Sequence, residues 1–425
     1  YISRQKGEYG MGNRDKKTDR EGGWMRQLIS SLGPGLIIAA TVFGAGSIIT
    51  ASKAGASAGY SYLWVLALAA VFMITFTKIA AKIGCVGEKS MLGHIEDNYS
   101  RGMAVLFGLC CSLICTGFQA GNNINTGVAL NALFPFMGIK VWIIVSFLII
   151  MVLIWRSSSF YQLLEKIMTV LVLIMLVCFA GNIVFFFGRI HYGELALGFI
   201  PGKVSGWQII VSMSATTFSI AGAACQSYLV QGKGWTMDNY DKAGRDSTAG
   251  IIILSCITAI ILITAATILP KGAEITSVLS IAALLKPLLG EFANGLFLLG
   301  FFAAVFSSVI ANAVIGGTFL ADSLKLGKTI NDFWVKMFSS IIIALGACVG
   351  LIFGSNPIQL TIMAQGATII GAPLVTVMLM LLSSKESVLG KHKNSKVTTV
   401  IGWVAVLWVV FLSVNQILLW NGIAL

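Results

Sequence analysis

Long runs of apolar residues recur along the chain, and short segments that carry most of the charges separate them. A membrane-spanning helix needs about 20 consecutive, predominantly apolar residues. Eleven runs meet this requirement, at 28–57, 62–83, 103–133, 141–155, 164–187, 207–230, 247–269, 293–324, 333–353, 358–382 and 398–420. The pattern therefore predicts an all-α membrane protein with eleven transmembrane helices, numbered span 1 to span 11, and a short amphipathic piece at 275–285 before span 8.

Two of the runs contain residues that interrupt helices. Glycine weakens a helix interior by about 1 kcal/mol relative to alanine, and in lipid a broken helix is tolerated only where it lines a cavity or is buried in protein. Interruptions at matching positions of two chain halves mark the substrate site of many transporters. The sequence therefore predicts substrate-binding residues in span 1 and span 6, at Gly44, Ala45, Gly46, Ser47, Ser219, Ile220, Ala221 and Gly222.

Basic residues are distributed unevenly between the two sets of connecting segments. The segment before span 1 and the loops that follow even-numbered spans are rich in Lys and Arg, whereas the loops after odd-numbered spans are poor in them. Positively charged loops stay in the cytoplasm. The distribution predicts a multi-pass protein of the cell (plasma) membrane with a cytoplasmic N-terminal tail at 1–27 and an external C-terminus.

The same orientation divides the chain into two halves of opposite topology. Residues 28–188 hold spans 1 to 5, residues 206–383 hold spans 6 to 10, and each half begins with an interrupted helix. This arrangement is typical of the LeuT-like 5+5 inverted repeat. We expect 28–383 to form the transport core, and 397–421 to add an eleventh helix outside the repeat.

Composition excludes several other classes of protein. The chain is 57% hydrophobic and 11% charged, whereas a soluble domain carries about 25% charged residues. The net charge of +12 follows from the basic loops, so it does not indicate a nucleic-acid partner. The eight cysteines lie almost entirely inside apolar runs, as small buried side chains do. No nucleophile, base and orienting group occur together, so we expect no enzyme activity and no cofactor.

Several short motifs lie in or beside spans 1, 2, 5, 6 and 7. They are Gly33-Pro34-Gly35, Ala54-Gly55-Ala56, Gly59-Tyr60, Leu63-Trp64-Val65-Leu66, Leu164-Glu165-Lys166, Thr216-Thr217, Ser227-Tyr228-Leu229-Val230-Gln231 and the segment 243–247. On these residues the sequence resembles the NRAMP divalent-metal transporters along spans 1 to 10. The resemblance implies the LeuT fold and transport of a divalent cation. The sequence is also similar to the branch of this family regarded as Mg²⁺ transporters.

The chain departs from the family at every metal-binding side chain. Gly44 and Ser47 occupy the positions of the Asp and Asn of the family's Asp-Pro-Gly-Asn motif. The segment 219–221 replaces its Met-Pro-His, and Gln226 replaces a second histidine. The acids of the family's proton pathway fall at Gln119 and Asn122, and a glutamine of span 10 falls at Gly371, while Gln365 matches a second one.

These departures predict a site of a different character. Thioether ligands select softer ions than Mg²⁺, and a dehydrated metal without compensating charge is costly to bury. We therefore expect a wide, polar and uncharged cavity, which suits Mg²⁺ that keeps several waters, with Mn²⁺ as a second cation. Gln119, Asn122 and Gln365 are predicted to line it, although interhelical hydrogen bonding is an equal alternative for the amides of span 3. Hydroxyls, carbonyls or bridging waters at Gly44, Ser47, Ser219 and Ala221 would contact the ion.

Other functions fit the same residues. Glycine-rich N-termini of half-helices also bind the carboxylates of small organic solutes, so an amino-acid transporter is an alternative hypothesis, and a non-transporting relative is another. A proton relay through the membrane requires Asp, Glu or His. His94, His191 and His392 all lie in loops, so we expect transport without proton coupling. The lipid bilayer is the expected partner, and the sequence does not determine the oligomeric state.

Overall fold

Helices form all the regular secondary structure in the part of the chain that the structure describes. This computed structural model describes residues 38, 43–87, 89–157, 159–202, 206–269, 275, 278–354 and 356–423. The α-helices are α1 (Ala45–Ala58), α2 (Leu63–Val86), α3 (Met91–Asn98), α4 (Arg101–Leu133), α5 (Ile139–Arg156), α6 (Phe160–Phe186), α7 (Tyr192–Leu197), α8 (Trp207–Thr217), α9 (Ile220–Gly232), α10 (Tyr240–Ile268), α11 (Val278–Ser323), α12 (Phe333–Phe353), α13 (Pro357–Thr368), α14 (Ala372–Ser384), α15 (Glu386–Leu389) and α16 (Lys396–Trp420).

Ten segments of the described residues are long and apolar enough to cross a membrane. They correspond to spans 2 to 11, with α8 and α9 together forming span 6 and α13 and α14 forming span 10. Of span 1, the structure describes Ile38, which is helical, and the 14-residue helix α1. The predicted all-α membrane architecture is confirmed, while the tail at 1–27 lies outside the described residues.

Two details of the predicted spans are wrong. The separate amphipathic piece at 275–285 does not exist, because the 46-residue helix α11 begins at Val278 and continues to Ser323. Its Pro287 does not end the helix, as proline removes one hydrogen bond that neighbouring helices can compensate in a membrane protein. The apolar pattern predicts a continuous span 10, but a 3₁₀ turn at Ile369–Gly371 interrupts it, immediately before Pro373.

Burial separates central helices from peripheral ones. The most apolar 18-residue windows of span 6 and of α11 are 89% and 83% buried, whereas those of α5 and α16 are 28% and 33% buried. The outward faces of α5 and α16 carry exposed apolar side chains such as Leu148, Val152, Val400 and Leu407. Apolar side chains on a lipid-facing surface need no protein partner. Spans 6 and 8 therefore form the centre of the bundle, and α5 and α16 its lipid-facing periphery.

The helices pack into two groups that meet at the centre. In the first group α1 packs along α10 and α2 packs along α9. In the second group α4 packs along α11, and α12 packs against both. Close glycine contacts hold each group together, since Gly55 of α1 approaches the backbone of Leu262 in α10 and Gly108 of α4 approaches the backbone of Phe319 in α11. Each group is thus held together by its own close helix contacts.

The short helix α3 lies between spans 2 and 3 and contains a titratable group that the sequence did not assign. Ser90 caps the helix by accepting a hydrogen bond from the Gly93 N–H at 3.1 Å. Burial lowers the pKa of His94, and the nearby charge of Asp97 offsets this only in part. Its Nε2 atom is buried and has no hydrogen-bond partner.

A pH dependence of stability follows from His94. Because the folded-state pKa lies below the ordinary value of about 6.5, the unfolded chain binds the proton first. The stabilising contribution is complete above about pH 6.5 and is lost as the pH falls through the lowered folded-state value. We expect the Tm of the detergent-solubilised protein to fall between pH 7 and pH 5, and His94→Gln to reduce that fall. Substitution of the exposed His191 by Gln serves as the control; equal pH profiles for wild type and His94→Gln would contradict the assignment.

Candidate functional site

The interruption in span 6 is shorter than the sequence predicts. Helix α8 ends at Thr217 and α9 begins at Ile220, so only Phe218 and Ser219 are non-helical. The N–H of Ala223 donates to the Ser219 carbonyl at 2.9 Å, which closes the first turn of α9. Ile220, Ala221 and Gly222 therefore belong to this helical turn and not to an unwound segment. Packing against neighbouring helices stabilises the turn despite the low helix propensity of glycine.

The interruption in span 1 faces the one in span 6. Phe43 and Gly44 are non-helical, and α1 starts at Ala45, with Gly44 in an extended conformation. Residues 39–42 lie outside the described part of the chain. Helices α1 and α8 pack against each other, so the start of one half-helix and the end of another lie side by side.

A small cavity lies between these helix ends. The volume in which the centre of a water molecule fits is about 10 Å³. This is about the minimum that one water requires. None of its lining residues in the described part of the chain carries a charged side chain. The eight lining residues come from five helices and the span 1 interruption: Gly44, Gly46, Ser47, Phe118, Asn122, Thr216, Ser308 and Gln365.

Five of the eleven predicted substrate-binding residues line this cavity, and six do not. Gly44, Gly46, Ser47, Asn122 and Gln365 are brought together. Ala45 lies beside the cavity and donates its N–H to Asn122 Oδ1 at 3.3 Å. Gln119 and the span 6 residues Ser219, Ile220, Ala221 and Gly222 do not line this cavity, and their contact with a substrate stays a prediction. Of the four predicted ion contacts, Gly44 and Ser47 line the cavity, while Ser219 and Ala221 are buried and are not among its lining residues.

The cavity is much smaller than the wide cavity that the sequence predicts. A Cβ atom at Gly44 would lie 2.5 Å from Ser308 Oγ and 3.0 Å from Asn122 Oδ1. A Cβ atom at Gly46 would overlap the amide of Gln365 and lie 2.8 Å from Thr216 Cγ2. Neighbouring polar side chains therefore fill the space that the small residues at the interruption leave free. The small residues permit close packing in this state.

A network of amides and hydroxyls holds the polar wall of the cavity. Asn122 Nδ2 donates to Ser308 Oγ at 3.0 Å, and Asn312 Nδ2 donates to the same oxygen at 2.9 Å. The first bond ties Ser308 of α11 to α4, and the second orients its hydroxyl from within α11. Gln119 has a different role, since its Nε2 donates to the Val309 carbonyl at 2.7 Å and its Oε1 accepts from Asn123. Gln119 thus joins the same two helices without reaching the cavity.

Two oxygen atoms at or near the cavity have no partner. The Oε1 atom of Gln365 and the Oγ atom of Ser219 are buried without a hydrogen bond. A buried polar atom without a partner costs about 1–3 kcal/mol. Gln365 is only 2% exposed and borders the cavity. Its carbonyl oxygen is therefore an acceptor suited to a hydrogen-bond donor or a cation at the cavity wall.

No group of three or more His, Cys, Asp or Glu side chains in the described residues could hold a metal ion. Gln226, at the position of a histidine in the family, donates from Nε2 to Ser247 Oγ at 2.8 Å and lies away from the cavity lining. A substrate at this site would meet hydroxyls, amides, backbone groups and the ring of Phe118. The electrostatic character that the sequence predicts, polar and uncharged, matches the observed lining.

A second, larger cavity opens at the predicted cytoplasmic end of the bundle. It has a volume of about 980 Å³ and reaches Tyr228 on α9, eight residues from the start of that helix. At a rise of 1.5 Å per residue this distance is about 12 Å. The Tyr228 hydroxyl donates to Asp322 Oδ2 at 2.6 Å and so joins α9 to the end of α11. We call this second cavity the vestibule; Tyr228 is one of its lining residues.

Three lining residues were not predicted. Phe118 precedes Gln119 on α4 by one position, and Thr216 lies in the last turn of α8. Ser308 lies on α11, one turn from Asn312. The Thr216-Thr217 and Ser307-Ser308 pairs are visible in the sequence as polar residues within apolar runs, which in a membrane mark interior faces. Phe118 carries no such signal.

Two interrupted helices that face each other around a buried polar cavity, inside a bundle of apolar helices, define a membrane transport protein. Its helices form the LeuT-like fold with interruptions at the predicted places.

The chain belongs to the Nramp family. The sequence model of that family, described as "Natural resistance-associated macrophage protein-like", matches residues 35–419. Two curated relatives are the divalent metal cation transporters MntH of Deinococcus radiodurans and of Bradyrhizobium diazoefficiens. Both are 24% identical to this chain; the alignments cover 93% and 90% of it and 91% and 88% of the relatives.

Solved structures show the same fold. The manganese transporter of Eremococcus coleocola, in the form of a histidine-to-alanine mutant, superposes with a TM-score of 0.76 at 20% identity, covering 94% of this chain and 89% of that one. A nucleobase-cation-symport-1 family transporter superposes with a TM-score of 0.62 at 10% identity, covering 91% and 92%. The predicted LeuT-like fold and family are confirmed. The relatives are transporters, which also confirms that the chain is not an enzyme.

Proposed function

We propose that the protein carries divalent cations across the plasma membrane, Mg²⁺ ahead of Mn²⁺, without moving protons with them. The central observation is the unpartnered Gln365 Oε1 atom at a cavity whose other lining groups are uncharged. Membership of a family whose relatives are named as divalent metal cation transporters supports a cation as the substrate.

The donor set favours a hydrated ion over a bare one. Amide, hydroxyl and carbonyl oxygens suit hard cations, whereas a dehydrated transition metal would need negative charge or sulfur that this lining lacks. Mg²⁺ keeps several waters when it binds, and each water can donate to an oxygen such as Gln365 Oε1. Because the cavity in this state admits about one water, the ion binds when α1 and α8 separate from α13 and α11.

The absence of titratable groups at the site supports transport without protons. The lining residues hold no Asp, Glu or His. Asn122 and Gln119 occupy the positions that the family resemblance assigns to acids, and both amides are committed to hydrogen bonds with α11. A neutral amide cannot take up and release a proton at physiological pH.

Flux measurements in proteoliposomes test this function. We expect Mg²⁺ entry, reported by an internal Mg²⁺ dye, with slower Mn²⁺ entry and no change of an internal pH dye. Gln365→Ala should reduce Mg²⁺ entry about tenfold, since it removes the free acceptor, an effect of about 1.4 kcal/mol. Gln359→Ala, an exposed glutamine on the same helix α13, is the matched control. Acidification that depends on Mg²⁺ entry would contradict the proton-free mechanism.

A small organic solute with a carboxylate is the second candidate. The observation that favours it is the start of α1 at the cavity, where Gly46 and Ser47 belong to the first turn. The N-terminus of a helix attracts anions. Failure to carry any divalent cation, together with a raised Tm in the presence of glycine or alanine, would replace the first function by this one.

A further inference from the structure

A lysine lies inside a membrane-spanning segment on the opposite side of the cavity from the vestibule. Lys53 belongs to α1 and is half-buried. Among the residues that the structure describes, none forms an ion pair with it. Ionisable side chains within membrane spans are costly and usually functional, and the function proposed above does not use Lys53.

The helix periodicity places Lys53 above the central cavity. It follows Gly46 by seven residues, which is within about 20° of two full turns and about 10 Å along the axis. Gly46 lines the cavity. Gly55, on the opposite side of α1, packs against the Leu262 carbonyl and Ala265 of α10. Lys53 therefore lies on the face of α1 that looks away from α10 and toward the helices around the cavity.

Exposure increases along this face. Gly46 and Thr50 are buried, with Thr50 donating its hydroxyl to the Gly46 carbonyl at 2.6 Å. Lys53 is half-buried and Ser57, one turn further, is exposed. The face thus runs from the closed cavity to the predicted external surface, and Lys53 stands where it begins to open.

Nothing on three of the facing segments neutralises the lysine. Helix α8, helix α13 and residues 119–133 of α4 contain no Asp or Glu. A unit charge 5–10 Å from a permeating ion, partly shielded by water, changes the rate at which the ion approaches about two- to fivefold per unit of ion charge. The effect weakens as salt shortens the screening length.

We propose that Lys53 creates a positive potential at the external approach to the cavity and thereby limits the rate at which cations enter from that side. The inference rests on the proposed cation transport for its consequence, but the potential itself does not depend on the substrate. Lys53 acts as a specificity-determining residue, since it disfavours divalent cations more than monovalent or neutral solutes.

A cysteine reporter measures the potential without any transport. Ser57→Cys is introduced into a chain in which the two exposed cysteines, Cys256 and Cys348, are replaced by Ser. Its modification rates are measured with a sulfonate-bearing and a trimethylammonium-bearing methanethiosulfonate reagent added from outside. We expect the ratio of anionic to cationic rates to fall about tenfold on Lys53→Gln at low ionic strength, about threefold for each reagent.

The controls decide whether the charge or the side chain is responsible. Lys53→Arg should keep the wild-type ratio, and Lys140→Gln, an exposed lysine at the start of α5, should leave it unchanged. In 0.5 M salt the effect of Lys53→Gln on the ratio should shrink. A ratio that Lys53→Gln leaves unchanged at low salt would overturn the proposal.

Transport supplies the second measurement. At low ionic strength Lys53→Gln should raise the initial rate of Mg²⁺ entry about tenfold, because the effect of the potential doubles in energy for a divalent ion, while Lys53→Arg should not. An unchanged or lowered Mg²⁺ rate would overturn the inference. If neither wild type nor variant carries Mg²⁺, the proposed function fails, and the reporter ratio still decides the charge at Lys53.

Discussion

Gly46→Ala is expected to reduce substrate flux at least about tenfold while the protein stays folded. The new Cβ atom would overlap the amide of Gln365 and lie 2.8 Å from Thr216 Cγ2. Gln365 is the flexible partner, so its side chain must leave its position, and the adjacent cavity of about 10 Å³ is the nearest space. The free acceptor would then be displaced from the site, and the cavity would be filled.

Flux in proteoliposomes and thermal unfolding in detergent together check this prediction. A lowered flux with a Tm close to that of the wild type places the effect at the site. Overpacking costs little stability when one side chain can move aside to relieve it. Gly138→Ala is the control, since no atom lies within 4 Å of a Cβ at Gly138. Wild-type flux for Gly46→Ala would show that Gln365 can move without consequence and that the site lies elsewhere.

Gly84→Ala is expected to destabilise the protein by about 1–3 kcal/mol, the usual cost of overpacking. Gly84 lies on α2 where it crosses α9, and a Cβ atom would collide with the Ser227 carbonyl and lie 2.7 Å from Ser227 Cα. Backbone atoms cannot rotate away as a side chain can. The two helices must therefore move apart at their predicted cytoplasmic ends, which also widens the vestibule that Gly84 lines.

The measurement is the Tm in detergent, compared with Gly87→Ala. Gly87 lies three residues further along the chain, has an extended backbone, and would meet nothing within 4 Å. We expect Gly87→Ala to unfold like the wild type. If both alanine variants had the same Tm, the contact between α2 and α9 would be looser than the structure indicates.

The spans were predictable because lipid imposes a length and a composition on every crossing helix. The interruption in span 1 was also predictable, because Gly44 and Gly46 weaken a helix inside an apolar run. In hydrocarbon such a break is tolerated only where it lines a cavity or is buried in protein. The turn at Ile369–Gly371 does not show in the apolar pattern, although Pro373 follows it closely. Proline at the second position of a helix marks a helix start, and a continuous apolar run conceals that signal.

The shape of the site could not be predicted from the residues at the interruptions alone. Small side chains at 44–47 suggested empty space, but the space depends on what approaches from other helices. Ser308 and Gln365 lie far from Gly44 along the chain, and their positions follow from the packing of α11 and α13. Likewise, the amide of Gln119 was expected at the cavity, yet a carbonyl of α11 holds it. Contacts between helices far apart in the chain decide which side chains reach the cavity, whereas sequence patterns report only on neighbouring residues.

The bond between the Tyr228 hydroxyl and Asp322 has a kinetic consequence. It joins α9, which packs with α2, to α11, which packs with α4, so it connects the two groups of helices at one end of the bundle. Any transport cycle that separates the two groups at that end must break this bond. A hydrogen bond of this kind contributes about 1 kcal/mol, so we expect it to lengthen the dwell time of the closed state about fivefold. We therefore expect a contact outside the central cavity to influence the turnover number.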